Sequence, residues 1–71
     1  MSLGAMIRQA RADAQMSQYE LADRVGVRNS AVSSWELGKA NPSPENMVRL
    51  IDVLGLDADE AAAAYLDAFR R

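Results

Sequence analysis

The sequence contains no cysteine and no histidine. Their absence excludes thiol chemistry, disulfide staples, zinc sites of the usual ligand types and imidazole acid/base catalysis. A chain without disulfides suits a reducing cytoplasm. Glycine occurs only four times and proline twice, both between periodic segments, and no stretch alternates β-branched or aromatic residues as strands require. No apolar run approaches the roughly 20 residues of a bilayer span. Nor does a basic start precede an apolar stretch of the signal-peptide kind. What is present is ordinary for a folded chain: 49% hydrophobic and 25% charged residues. The 71 residues suit one domain spanning 1–71, near the size at which a single core only just offsets chain entropy. That size leaves no room for an effector-binding or cleavable domain.

An excess of basic residues is also lacking. The net charge is −2, which taken alone argues against a phosphate-rich partner. The charge is unevenly placed, however: residues 1–41 carry five cations against four anions, and residues 42–71 carry three against six. The acidity belongs to the C-terminal part.

The periodicity reads as five helices and no sheet. Leu3, Met6, Ile7, Ala10 and Ala14 share one helical face behind a Ser2 cap. Ser17 with Glu20 forms a capping box for a second helix that carries Leu21, Ala22 and Val25 inward. Gly26 permits a sharp turn, and a third helix runs from about Asn29 to Glu36 before Gly38 stops it. Ser43-Pro44-Glu45 opens a fourth helix with a buried stripe of Met47, Leu50, Ile51 and Leu54, ended by Gly55. Asp57 with Glu60 is a second capping box, from which a fifth helix runs through residues 57–71 to a cationic end at Arg70 and Arg71.

Residues 17–36, SQYELADRVGVRNSAVSSWE, are the most informative. Two short helices joined through one glycine must cross steeply. At about 100° per residue, Ser30, Ser33 and Ser34 fall near Asn29 within a wedge of roughly 140°, with Ala31, Val32 and Trp35 opposite. An apolar inner face and a small polar outer face suit a helix that packs on its own domain and presents amide and hydroxyl groups to base edges in a major groove.

These residues resemble the lambda-repressor-like, Cro-type helix-turn-helix proteins, also called the xenobiotic-response-element family. The resemblance extends from about Leu3 to Glu60. It rests on Ser17-Gln18, Glu20-Leu21-Ala22, Val25-Gly26-Val27, the spacing of Val32 to Trp35-Glu36, and Gly38-Lys39 followed by Pro42-Ser43, in order and at the family's spacing. It implies an all-α, five-helix DNA-binding domain whose third helix enters the major groove, usually as half of a two-fold dimer. By position, Arg28, Asn29, Ser30, Ser33 and Ser34 match the variable residues that face bases. Gln18, beside Ser17, matches a glutamine that contacts phosphate and can brace the recognition helix. Lys39 and Asn41 lie in a loop that commonly touches the backbone. Arg11 and Glu36 match a structural ion pair of some members.

For Asn29, Ser30, Ser34 and Gln18 the plain alternative is ordinary surface polarity, and for Arg11 and Glu36 it is two unrelated surface charges. Three residues depart from the family pattern. Arg28 replaces the usual Ser or Thr cap, a loss of about 1 kcal/mol to its helix, and either reaches guanine or phosphate or stands exposed. Gln15 replaces a glycine between the first two helices. Tyr19 replaces a small or charged residue and either packs locally or lies beside the DNA backbone.

At the C-terminus, Ala58, Ala61 and Ala62 replace bulky residues, and Tyr65, Leu66 and Phe69 come later than the part expected to pack on its own monomer. Two explanations stand: a symmetric dimer that buries Tyr65, Leu66 and Phe69, or a helix folded back onto helices one and four.

The resulting expectation is a sequence-specific, double-stranded-DNA-binding transcriptional regulator, a repressor acting as a homodimer on a palindromic operator in the bacterial cytoplasm. Cro-like phage regulators, controllers of restriction-modification genes and antitoxins are the contexts it fits. No nucleophile and base, metal cluster or phosphate loop can be assembled, since Asp57, Asp59 and Glu60 are explained by a helix start. No enzyme activity, cofactor, metal, membrane or small-molecule ligand is expected. The alternative is a protein-interaction or antitoxin-type module that keeps the fold and binds a protein partner instead.

Overall fold

Four side chains open four helices. Ser2 accepts from the Ala5 amide at 3.2 Å, Ser17 from Glu20 at 3.0 Å, Ser43 from Asn46 at 3.2 Å and Asp57 from Glu60 at 2.9 Å. Each such cap contributes about 1 kcal/mol by satisfying a backbone donor that has no partner inside the helix. In the computed structural model, which describes residues 1–70, they start α1 (Leu3–Asp13), α2 (Gln18–Val25), α4 (Pro44–Leu54) and α5 (Ala58–Ala68). The remaining helix, α3 (Asn29–Glu36), begins at Arg28, which makes no side-chain cap bond, as the substitution at that position predicts. There is no strand among the described residues.

At Ser17 both halves of the capping box form, the Ser17 amide donating to Glu20 Oε1 at 3.2 Å. At Asp57 only the bond from the Glu60 amide is made, so the second capping box expected there is a single cap. Helices α2 and α4 end at a left-handed glycine: Gly26 has φ 86° and its amide donates to the Ala22 carbonyl at 2.8 Å, and Gly55 has φ 64°. Gln15 does the same work without a glycine, at φ 57°, so the α1–α2 turn carries the strain of a side chain in that region.

Helix α1 lies against α3, α4 and α5, while α2 packs on α3 and α4. Ile7, Leu21, Val25, Val32 and Leu50 are fully buried at the centre, with Leu3 and Trp35 beside them. Leu3 therefore belongs to the fold, and Trp35 to the core. Two expectations of the apolar pattern are corrected. Ala14 is exposed because α1 has already ended at Asp13, and Ile51 and Leu54 are half-buried at the margin of the α4 stripe.

Helix α5 folds back onto α1 through Ala61 and Ala64, whose small side chains let the two backbones approach. Tyr65, expected beyond the part packed on its own monomer, is instead half-buried against the core, and its hydroxyl donates to the Pro42 carbonyl at 2.7 Å. Leu66 and Phe69 stay outside, 60% and 59% exposed. The cationic end of α5 is described at Arg70; Arg71 lies outside the described residues.

Candidate nucleic-acid interface

Glu36 closes α3 and gathers three elements. Arg11 of α1 donates from Nε to Glu36 Oε2 at 2.6 Å and from Nη2 to Oε1 at 3.0 Å, the two-pronged geometry a guanidinium makes with a carboxylate. Its Nη1 donates to the Met16 carbonyl at 2.9 Å, in the turn before α2. Gln18 Nε2, at the first residue of α2, donates to the same Oε1 at 3.0 Å. Arg11 and Glu36 thus form an ion pair, and Gln18 bonds the last residue of α3.

The carboxylate is 4% exposed and the Arg11 side chain 17%. Burial alone pushes the Glu36 carboxyl up, but the hydrogen bonds from Arg11 and Gln18, with the charges of Arg11 and Arg8, outweigh it and hold the group below the usual glutamate range. The Glu36 hydrogen bond in turn raises Arg11, against a smaller opposing effect of desolvation. This junction fixes the end of α3 relative to the start of α2.

The other end of the α2–α3 unit is fixed by a residue the sequence pattern did not mark. Arg49 of α4 donates from Nη1 to the Val25 carbonyl at 3.0 Å and from Nη2 to Glu45 Oε1 at 3.0 Å. Its spacing from Glu45 is visible in the sequence as an i, i+4 pair; its reach to Val25 is not. Gly4 is the second such residue. A Cβ there would stand 2.6 Å from the Trp35 carbonyl oxygen and 2.7 Å from that of Glu36, so α1 runs against the end of α3 only because residue 4 has no side chain.

With both ends held, α3 turns Val32 and Trp35 inward and leaves a polar face. Arg28 and Ser30 are exposed; Asn29, Ser33 and Ser34 are half-buried. The Asn29 carboxamide oxygen is buried without a hydrogen-bond partner. A two-bond contact to adenine through that carboxamide therefore requires the side chain to rotate, which releases an acceptor that is costly to leave unpaired.

The expected phosphate-facing residues divide between two clefts. One is lined by Arg8, Arg11, Gln18, Ser33, Glu36 and Leu37. The other holds Lys39 and Asn41 together with Gly4, Leu37 and Asp67. Glu36 and Leu37 border both, so the end of α3 is the ridge between them. Ser17 lies beside the first cleft in sequence, with its side-chain oxygen committed to the α2 cap. Tyr65, Leu66 and Phe69 form a separate surface on α5, where the Tyr65 and Phe69 rings meet edge to face with centroids 4.9 Å apart.

A family model described as helix-turn-helix matches residues 7–60. The chain belongs to the helix-turn-helix family. Within this helix-turn-helix domain, α2 and α3 with the Gly26 turn are the motif read from residues 17–36. Among solved structures, the DNA-binding domain of the P22 C2 repressor is 32% identical, with a TM-score of 0.81 over 87% of this chain and 82% of that one. The clp gene regulator ClgR from Corynebacterium glutamicum is 27% identical, with a TM-score of 0.78 over 93% of this chain and 70% of that one. Two curated relatives are similar as well. The SPbeta prophage-derived HTH-type transcriptional regulator YonR of Bacillus subtilis is 29% identical over 56 residues, 79% of this chain and 52% of that protein. Multiprotein-bridging factor 1 of Candida albicans is 33% identical over 55 residues, 78% of this chain. The chain spans about half of the first relative's length and 36% of the second's. The helix-turn-helix domain thus has the fold of DNA-binding transcriptional regulators, and no helix among the described residues is long and apolar enough to cross a membrane.

Proposed function

We propose that the chain is a transcriptional repressor that binds a specific duplex site as a homodimer on a two-fold-symmetric operator and blocks polymerase there. The observation that carries this reading is the Glu36 junction, which holds α3 by both neighbouring helices while its Arg28, Asn29, Ser30 and Ser34 side chains take no part in the core. A helix held this way, with small polar groups outward, suits entry into a major groove. Arg28, Asn29, Ser30, Ser33 and Ser34 face bases, with Asn29 reading an adenine in each half-site. Ser17 and Gln18 on one side, and Lys39 and Asn41 on the other, take phosphates. Leu66 and Phe69 bury against a second copy, placing two α3 helices about 34 Å apart. The whole of 1–71 acts as one domain, in the cytoplasm, with no catalytic role, metal or cofactor.

The test is selection of bound sequences from a random duplex pool at low and near-physiological salt. A palindrome with half-site centres about one helical turn apart, and an adenine at one position of each half, is the expected result. Absence of binding even at low salt overturns the proposal and leaves the protein-interaction module, whose support is the net charge of −2 and the uncapped start of α3.

A further inference from the structure

Resting on the reading of α3 as a DNA-recognition helix, we infer that Arg49, on α4 and outside the helix-turn-helix motif, is a positioning residue for sequence discrimination. Through its hydrogen bond to the Val25 carbonyl it sets the pose of the base-reading end of α3 without touching DNA. The two ends of α3 are held by unlike means. Its C-terminal end is fixed by the Glu36 junction. Its N-terminal end, where Arg28, Asn29 and Ser30 lie, has no side-chain cap. The place of that end therefore depends on the short turn that leads into it. Arg49 Nη1, donating to the Val25 carbonyl at 3.0 Å, is the one side chain among the described residues that hydrogen-bonds the backbone of residues 25–28.

This clamp has a firm base. Helix α4 opens on the Ser43 cap and buries Met47 and Leu50, so Arg49 projects from a helix seated in the core. Its second prong, Nη2, is held by Glu45 Oε1 at 3.0 Å, one turn earlier on the same helix. Glu45 thereby orients the guanidinium, and the guanidinium orients the turn. The fit at the turn is close, since a Cβ on Gly26 would stand 3.4 Å from Nη1. Arg28 follows soon after Val25 in the chain, so a shift of the Val25 carbonyl passes into the first turn of α3 with little slack.

Arg49 lines neither of the clefts that hold Gln18, Lys39 and Asn41, which sets it apart from the phosphate-facing residues. Its charge and its position therefore have separable effects. A phosphate contact is a charge interaction that carries no sequence information, whereas a two-bond contact to a base edge needs its groups placed within about 0.5 Å. Releasing the N-terminal end of α3 costs the second kind of contact and spares the first.

The experiment measures affinity of the full chain for its selected duplex and for single-base variants of that duplex across a salt series. Wild type, Arg49→Gln, Arg49→Lys and Glu45→Gln are compared at a temperature where circular dichroism shows each to be folded. Arg49→Gln is expected to lower discrimination about tenfold, the scale of one two-bond base contact, and to leave the dependence of log affinity on log salt unchanged. Arg49→Lys should lose most of the same discrimination although it keeps the charge, because one ammonium cannot hold Val25 and Glu45 together. Glu45 is exposed, so Glu45→Gln stays folded even where an Arg49 variant does not, and it should lower discrimination in the same direction by less. A salt slope flatter by about 0.9 per protomer for Arg49→Gln, restored by Arg49→Lys, makes Arg49 a phosphate contact and overturns the positioning role. Unchanged discrimination in the variants confines Arg49 to stability and overturns it as well. Both of those results leave DNA binding standing, whereas failure of the wild type to bind any duplex at low salt overturns the DNA reading and this inference together.

Discussion

Arg49 reaches across from α4 to donate a hydrogen bond to the carbonyl oxygen of Val25, the last residue of α2, at 3.0 Å. The contact joins the scaffold to the turn that sets the angle between α2 and α3. Its loss leaves a helix-end carbonyl without a charged donor, at a cost of about 1.5 kcal/mol. Arg49→Ala is therefore expected to lower the urea midpoint. Arg49→Lys should recover only part, because one ammonium cannot take the places of Nη1 and Nη2 at Val25 and Glu45 together.

Glu36 makes stability depend on pH in a defined direction. Its folded carboxyl titrates below the ordinary range, so its contribution is complete above the unfolded value, about 4.3, and is lost as pH falls through the lower folded value. Urea unfolding of wild type and Glu36→Gln across pH 2 to 7 checks this. The wild type should exceed the variant by about 2 to 3 kcal/mol near neutrality, and the two curves should converge in acid.

Gly4→Ala reverses the usual effect of that substitution. In an open helix the change stabilises by about 1 kcal/mol. Here the added Cβ meets two backbone carbonyls at 2.6 and 2.7 Å, neither of which is the end of a flexible side chain. A net loss of about 1 to 3 kcal/mol is expected, read as a lower melting temperature.

Asn29→Ala should separate folding from recognition. The variant removes a buried oxygen that has no partner, so thermal stability should hold or rise. Discrimination at one base position of each half-site should fall by about 1 to 3 kcal/mol, measured on the selected duplex and its single-base variants.

The α5 surface can be tested through its exposed side chains and its half-buried one separately. Leu66→Ala with Phe69→Ala should give a monomer in sedimentation with little change in monomer stability, since both side chains are largely exposed. Tyr65→Phe should do the reverse, losing the bond to Pro42 and about 1 kcal/mol while leaving the association state unchanged.

What the sequence determined by itself was local. The serine and aspartate caps, the glycine turns, the uncapped start at Arg28 and the division of α3 into an apolar and a polar face all depend on residues three or four apart, and all are present in the structure. The pairing of Arg11 with Glu36, 25 residues away, came from the family pattern and not from spacing. The tertiary structure alone decided which distant groups meet: Gly4 with Trp35, Arg49 with Val25, and Tyr65 with Pro42. Helical periodicity states which face turns inward but not where along a neighbour that face comes to rest. That placement follows from how the whole core packs at once, so Tyr65 became part of the monomer while Leu66, one residue on, stayed in solvent.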